Sequence, residues 1–313
     1  MTWWCTGMRW GGGGPAFGWT GDGGERESGV RFGEPVVFRV GGARRCLGVW
    51  RGGRRTLCPG REAVPVRGTR AQCGECAGID RAHSVAADTV ADDPRPYRVY
   101  LAWFGNGLVK VGITGARRGS ARLLEQGAVA FTWLGQGPLM AARRAEELLR
   151  VALGVPDRIP YEKKRGVRAR LAGAEGRGAE LVRAHAVAVG LGGGWPEALE
   201  RLPCRVVDHG EAFGLAAIDR VDAVVSGLAE GAVVAGTVVA AAGPDLHLVE
   251  PAGRRLVVDT RVLAGWPLER ASGSGSAMAS AQGQGQGQAQ AGVSGTGSGF
   301  VVREVPAVQD GLF

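Results

Sequence analysis

Four cysteines carry the most specific chemistry in this chain. Cys73-Gly-Glu-Cys76 sets two thiols two residues apart, the spacing at which a tight turn points both sulfurs at one tetrahedral ion. Cys46 and Cys58 lie upstream, each at or near the end of a strand-like segment, with eleven residues between them. A hairpin would have to bring that pair together as the other half of the site. The chemistry implied is a structural Zn²⁺ on Cys46, Cys58, Cys73 and Cys76. Redox use of Cys73 and Cys76, or unligated core thiols, are the other readings of the same residues. Cys5 and Cys204 have no spacing partner and are expected in the core.

A second group is basic. Tyr161 to Arg170, "YEKKRGVRAR", clusters Lys163, Lys164, Arg165 and Arg168 beside one aromatic residue. Such a stretch is either a solvated loop or a contact to a phosphate backbone. Asp208 and His209 are adjacent, so they cannot relay a proton to each other as a triad does, and no nucleophilic serine motif accompanies them. His83, His185 and His247 are isolated and are expected at the surface or rim.

The elements that must position these residues fall into stretches of different character. Up to about residue 96 the pattern is short, turn-rich and strand-like, as in "GEPVVFRV", "CLGVW" and "TLCP". Gly11 to Gly14 is followed by neither GK[ST] nor a helix pattern, so it reads as a loop tip rather than a phosphate loop. From 97 to 171 the order is hairpin, helix, strand, helix: "RVYLAWF" and "LVKVGIT" around Gly105-Asn106-Gly107, then "ARLLEQ" between Ser120 and Gly127, "VAFTWLG", and "LMAARRAEELLRVAL". From 172 to 270 a helix precedes several strands, which suggests a small β-barrel or sandwich. The tract 271–299 is rich in Gly, Ser, Gln and Ala and is expected to be disordered, and 300–313 is expected to dock back as an added edge strand. The fold class expected is α+β.

Composition bounds the function. The chain has 313 residues, 45% of them apolar, and a net charge of +8, which invites a polyanionic partner. The charge is almost all arginine, since Lys110, Lys163 and Lys164 are the lysines, and coding bias would produce the same profile. The longest small-apolar run, Gly231 to Gly243, is too short and too broken by glycine to span a bilayer. Met1 to Trp10 lacks a basic start followed by an apolar run, so the expectation is a cytoplasmic protein with reduced cysteines.

Two resemblances sharpen this reading. Val99-Tyr100-Leu101 and Lys110-Val111-Gly112, with Arg122 and Glu146 following, resemble the GIY-YIG endonuclease superfamily over roughly residues 97 to 170. The resemblance implies a divalent metal, Mg²⁺ or Mn²⁺, on Glu146, Arg122 facing the phosphate, and Tyr100 supplying a base or orienting the water. The second tyrosine of that pattern is Lys110 here, which would meet phosphate as a point charge. A closer resemblance, over most of residues 40 to 170, is to a bacterial family of uncharacterised proteins with a cysteine-rich segment followed by "VYLA…KVGIT…R…QGA". Beside these stand plain structural readings: Tyr100 as a core aromatic, Gly112 as a bulge or close strand contact, and Glu146 and Glu147 as a solvated face pairing with Arg143 or Arg150.

The expectation is therefore a nucleic-acid-interacting protein. Its leading form is a metal-dependent phosphodiesterase acting through Tyr100, Lys110, Arg122 and Glu146. The alternative is a non-catalytic zinc-containing module that binds nucleic acid or a protein partner.

Overall fold

The computed structural model describes residues 2–51, 53–82, 93, 95–156, 158–191, 194–271 and 300–305. His83, the tract 272–299 and the segment 306–313 lie outside the described residues, and with them the expectations made for them. Among the described residues no helix is long and apolar enough to cross a membrane.

The chain opens as an antiparallel meander of β1 (Trp4–Gly11), β2 (Gly14–Gly21) and β3 (Gly24–Gly29). Gly11 pairs with Gly14, so the glycine run is a hairpin tip. The next strand, β4 (Pro35–Val40), leaves the meander and pairs far along the chain. A two-stranded hairpin follows, β5 (Val49–Arg51) and β6 (Arg54–Thr56), and then α1 (Gly74–Ala82).

The central segment has the expected order. β7 (Tyr97–Trp103) and β8 (Val109–Gly115) form the hairpin around Gly105–Gly107. α2 (Ala121–Gln126) ends at Gly127 in the left-handed region at φ 70°, and β9 (Ala130–Gly137) pairs along the other side of β7. Of the stripe Leu139, Ala142, Ala145, Leu148, Leu149 and Ala152 that helical spacing places on one face, α3 (Leu139–Ala152) buries Leu139, Ala142, Ala145 and Leu149, while Leu148 is half-buried and Ala152 exposed. The basic stretch expected as a loop is helical, α4 (Tyr161–Arg168), and α5 (Ala174–Gly190) follows it. Short β10 (Glu200–Arg201) and β11 (Val207–Asp208) extend the sheet beyond β9.

This sheet has two apolar faces. On one, Val99, Leu101, Trp103 and Val111 pack with α3 and α5. On the other, Tyr100, Ala102 and Phe131 pack with Phe104, Leu123 and Ile159.

The C-terminal strands are β12 (Ala223–Leu228), β13 (Val233–Ala242), β14 (Asp245–Val249), β15 (Arg255–Asp259), β16 (Leu268–Arg270) and β17 (Phe300–Glu304). They form an open seven-stranded sheet in the order β16-β4-β13-β14-β15-β12-β17, and no closed barrel is present among the described residues. This corrects two expectations. Of the barrel or sandwich expected of the C-terminal strands, the barrel does not form among the described residues, and the strand "PVVFRV" is not part of a self-contained N-terminal unit, because it sits between β16 and β13. The physical reason lies in the inner face of the meander, where Cys5, Trp10 and Phe17 bury against Val225, Val234, Leu246 and Trp266. N- and C-terminal segments thus share one core.

Candidate metal centre

The β5–β6 hairpin closes the gap between the first two cysteines. Val49 pairs with Thr56, so Cys46 before β5 and Cys58 after β6 meet at one end. Cys73 immediately precedes α1 and Cys76 lies in its first turn. The four sulfurs lie within 4.8 Å of one another and all four residues are buried. Sulfurs around a tetrahedral ion with Zn–S bonds of 2.3 Å stand about 3.8 Å apart, so small adjustments would ligate one ion.

The backbone is shaped around these sulfurs. Gly48 N donates to Cys46 Sγ at 3.4 Å and Cys73 N donates to the same sulfur at 3.2 Å. Gly48 has φ +74°, and a Cβ there would stand 1.9 Å from the Thr56 carbonyl oxygen, so glycine is required. The amides of Glu62 and Gly60 serve Cys58, and Arg61 between them is the non-glycine residue with positive φ (42°) among the described residues. Such N–H···S contacts orient ligating thiolates.

Electrostatics point the same way. Burial and then the neighbouring sulfurs push Cys76 up, burial pushes Cys46 up, and the Glu62 amide draws Cys58 down. Four buried thiols cannot all ionise side by side unless a cation balances them. All six cysteines are free thiols, and this cluster could hold a metal ion such as zinc.

Around the cluster the surface is strongly cationic. Between Arg44 and Arg70 the chain has eight arginines and one carboxylate, Glu62. Arg45, Arg51, Arg54, Arg61, Arg67 and Arg70 are exposed. Arg44 is buried and anchors the module, with Nε donating to the Ala264 carbonyl at 2.8 Å and Nη1 to that of Pro65 at 2.6 Å. Trp50 is fixed from several sides. The guanidinium carbons of Arg9 and Arg55 lie 4.7 and 5.4 Å from its ring centroid, and both groups bind Glu25 Oε1. Its backbone N–H donates to Asp80 of α1 at 3.2 Å. A shallow cleft lined by Trp4, Arg45, Cys46, Leu57 and Arg61 opens beside the cluster.

The Tyr100 group is differently built. Cross-strand pairing puts Tyr100, opposite Gly112, and Lys110, opposite Ala102, on one face of the sheet. The Tyr100 ring lies over Gly112, where a Cβ would be 2.3 Å from the hydroxyl, so this glycine marks a close strand contact. Tyr100 is 2% exposed, and Gln126 Nε2 donates to its hydroxyl at 2.9 Å. Burial holds that phenol above its ordinary range, the direction that opposes a base. The charges of Arg122 and Glu146 both bear on the hydroxyl. Arg122 is exposed and pairs with Glu125 at 3.7 Å. Glu146 belongs to α3, whose buried residues pack on the opposite face. Tyr100 and Lys110 are thus brought together, while Arg122 and Glu146 approach from separate elements. Glu147 pairs with Arg150 at 2.6 Å.

The basic cluster is mostly internal. Lys163 is exposed. Lys164 is 4% exposed, donates to the Gln126 carbonyl at 2.9 Å, and lies 3.9 and 4.4 Å from the Phe104 and Tyr161 ring centroids. Burial, then Lys110 and Arg168, lower it to about 7. Arg165 and Arg168 bind the wholly buried Asp245 at 2.6 and 2.8 Å, and Arg165 also binds Asp259. The expectation that Lys164, Arg165 and Arg168 face a phosphate backbone is corrected by this geometry, because their charges meet groups of the same chain. His185 and His247, expected at the rim, are buried as well. His247 lies 3.5 Å from Arg168 Nη1, and burial, then the Arg168 and Arg165 charges, hold it well below the ordinary histidine range. Asp208 pairs with Arg177, and His209 faces the Ala128 carbonyl at 2.8 Å.

Trp50, Arg51 and Arg54 were not singled out by their spacing. The signal that could have found them is arginine density around the cysteines.

Comparison with curated proteins returns no match, and comparison with solved structures returns none. A family model described as "Protein of unknown function (DUF2797)" matches residues 33–268. The match runs from just before β4 into β16, so the meander β1–β3 lies outside it. Spanning well over half of the chain and containing all four clustered cysteines, it makes this protein a member of the DUF2797 family.

Proposed function

We propose that this protein is a non-catalytic nucleic-acid-binding protein whose contact module is built on a structural zinc ion held by Cys46, Cys58, Cys73 and Cys76. The observation that carries the reading is the density of arginine around those cysteines: six exposed guanidinium groups between Arg45 and Arg70, of which Arg61 meets Asp22, with Glu62 as the one carboxylate of that stretch. Zinc would hold a module whose strands are three residues long and too short to stand alone. Guanidinium groups on such a rigid base suit planar phosphate contacts.

The test is binding of labelled DNA and RNA over a range of salt. Each guanidinium that meets a phosphate adds about −0.9 to the log K against log salt slope on duplex and about −0.7 on single strands. Arg51→Glu with Arg54→Glu should weaken binding and flatten the slope by roughly 1.4 to 1.8. Failure of the protein to bind at low salt, or indifference to the charge reversal, refutes the reading.

A second reading, a GIY-YIG-like phosphodiesterase, is favoured by one observation, the action of the Arg122 and Glu146 charges on the Tyr100 hydroxyl. Burial of Tyr100 weighs against it. Cleavage in the same samples with Mg²⁺ or Mn²⁺, abolished by Glu146→Gln, would establish it.

A further inference from the structure

We infer that the preferred partner of the arginine-rich module is single-stranded nucleic acid, with an unpaired base stacked on Trp50; this rests on the nucleic-acid reading above. Trp50 is 41% exposed, the one tryptophan among the described residues to present so much surface. Its indole is nevertheless held in place. Arg9 and Arg55 lie over the ring and are themselves tied to Glu25, while the Trp50 amide is bonded to Asp80. A large apolar ring fixed in position and left facing water is a platform that loses little side-chain freedom on binding.

Its surroundings select the partner. Trp50 pairs across the hairpin with Arg55, and the next pair outward, Arg51 with Arg54, forms an exposed cationic tip. Phosphates flanking a stacked base would meet that tip, the combination of groove charge and aromatic platform by which single strands are bound. A duplex keeps its bases stacked on one another and offers the arginines phosphates but offers the indole nothing. Trp50 therefore separates the two forms, whereas the arginines serve both.

The experiment measures dissociation constants for a labelled single strand and its duplex with wild-type protein, Trp50→Ala, Trp50→Phe and Arg54→Ala, with bound zinc as the check that each variant is folded. The expected result is that Trp50→Ala weakens single-strand binding by roughly 5- to 150-fold, the effect of losing one stacked base, with duplex binding unchanged. Trp50→Phe should recover most of the loss, and Arg54→Ala should weaken both forms. Equal effects of Trp50→Ala on both forms, or no effect on either, overturn the inference while leaving nucleic-acid binding in place. Absence of binding by the wild-type protein overturns the nucleic-acid reading itself.

Discussion

Asp245 decides whether the basic helix α4 serves the interior or a ligand. Its carboxylate is fully buried and accepts from Arg165 Nε at 2.8 Å, Arg165 Nη2 at 2.6 Å and Arg168 Nη1 at 2.8 Å. Asp245→Asn keeps the size and removes the charge. Arg165 would retain Asp259, but Arg168 would be left with the His247 ring at 3.5 Å and an Nη2 that is already buried without a partner. Removing one partner of a buried ion pair costs about 3–5 kcal/mol, because the remaining charge stays desolvated. At about 2–4 °C per kcal/mol for a unit of this size, the unfolding midpoint should fall by about 10 °C. Thermal unfolding followed by circular dichroism measures it. The double variant with Arg168→Met should be markedly less destabilised than the two single losses added together, since it removes the stranded charge. A midpoint that moves by less than about 2 °C, with nucleic-acid affinity rising as Arg165 and Arg168 are released, would refute the reasoning and restore α4 as a phosphate contact.

Two more outcomes follow from the site and its buried groups. The chain should bind one zinc ion, and Cys58→Ser or Gly48→Ala should abolish it, the latter by driving a Cβ into the Thr56 carbonyl; zinc content of the purified variants checks this, and chelation should unfold the β5–β6 module, whose metal contributes on the order of 10 kcal/mol of binding energy to its fold. Lys164 should contribute a rise of stability with pH from about 7 toward 10.5, because the unfolded chain holds a proton there that the fold has released, while the raised Tyr100 phenol works the other way near pH 10. Stability should fall below about pH 6.5, where unfolding lets the buried neutral His247 charge, and urea midpoints of the wild type against Lys164→Met across pH isolate the upper effect.

Local pattern was enough for much of the architecture. Gly105-Asn106-Gly107 between two β-rich runs specified the β7–β8 hairpin, Gly127 ended α2, and the spacing of Leu139, Ala142, Ala145 and Leu149 specified the buried face of α3. Cys73 and Cys76 announced themselves by a spacing of two, and Cys46 and Cys58 followed once a hairpin was granted between them. These features depend on residues close together in the chain, so the information is local.

What stayed hidden depends on contacts between distant segments. β4 reads as a strand, yet nothing in "PVVFRV" says that it inserts between β16 and β13, a choice made by the core it shares with them. Tyr161, Lys164, Arg165 and Arg168 have the i, i+3, i+4, i+7 spacing of a buried helical face, but they are polar, so a search for apolar periodicity leaves them as a solvated loop. Their partners Asp245 and Asp259 lie 80 and 94 residues from Arg165, and only folding reveals that the charges are already matched. The same holds for Tyr100, whose type and position suggested chemistry until the sheet, α2 and Gln126 closed over it. Residue type and spacing carry the ligands and the helices. Burial of charge is a property of the assembled chain, because whether a cation meets solvent or a carboxylate is decided by what packs against it.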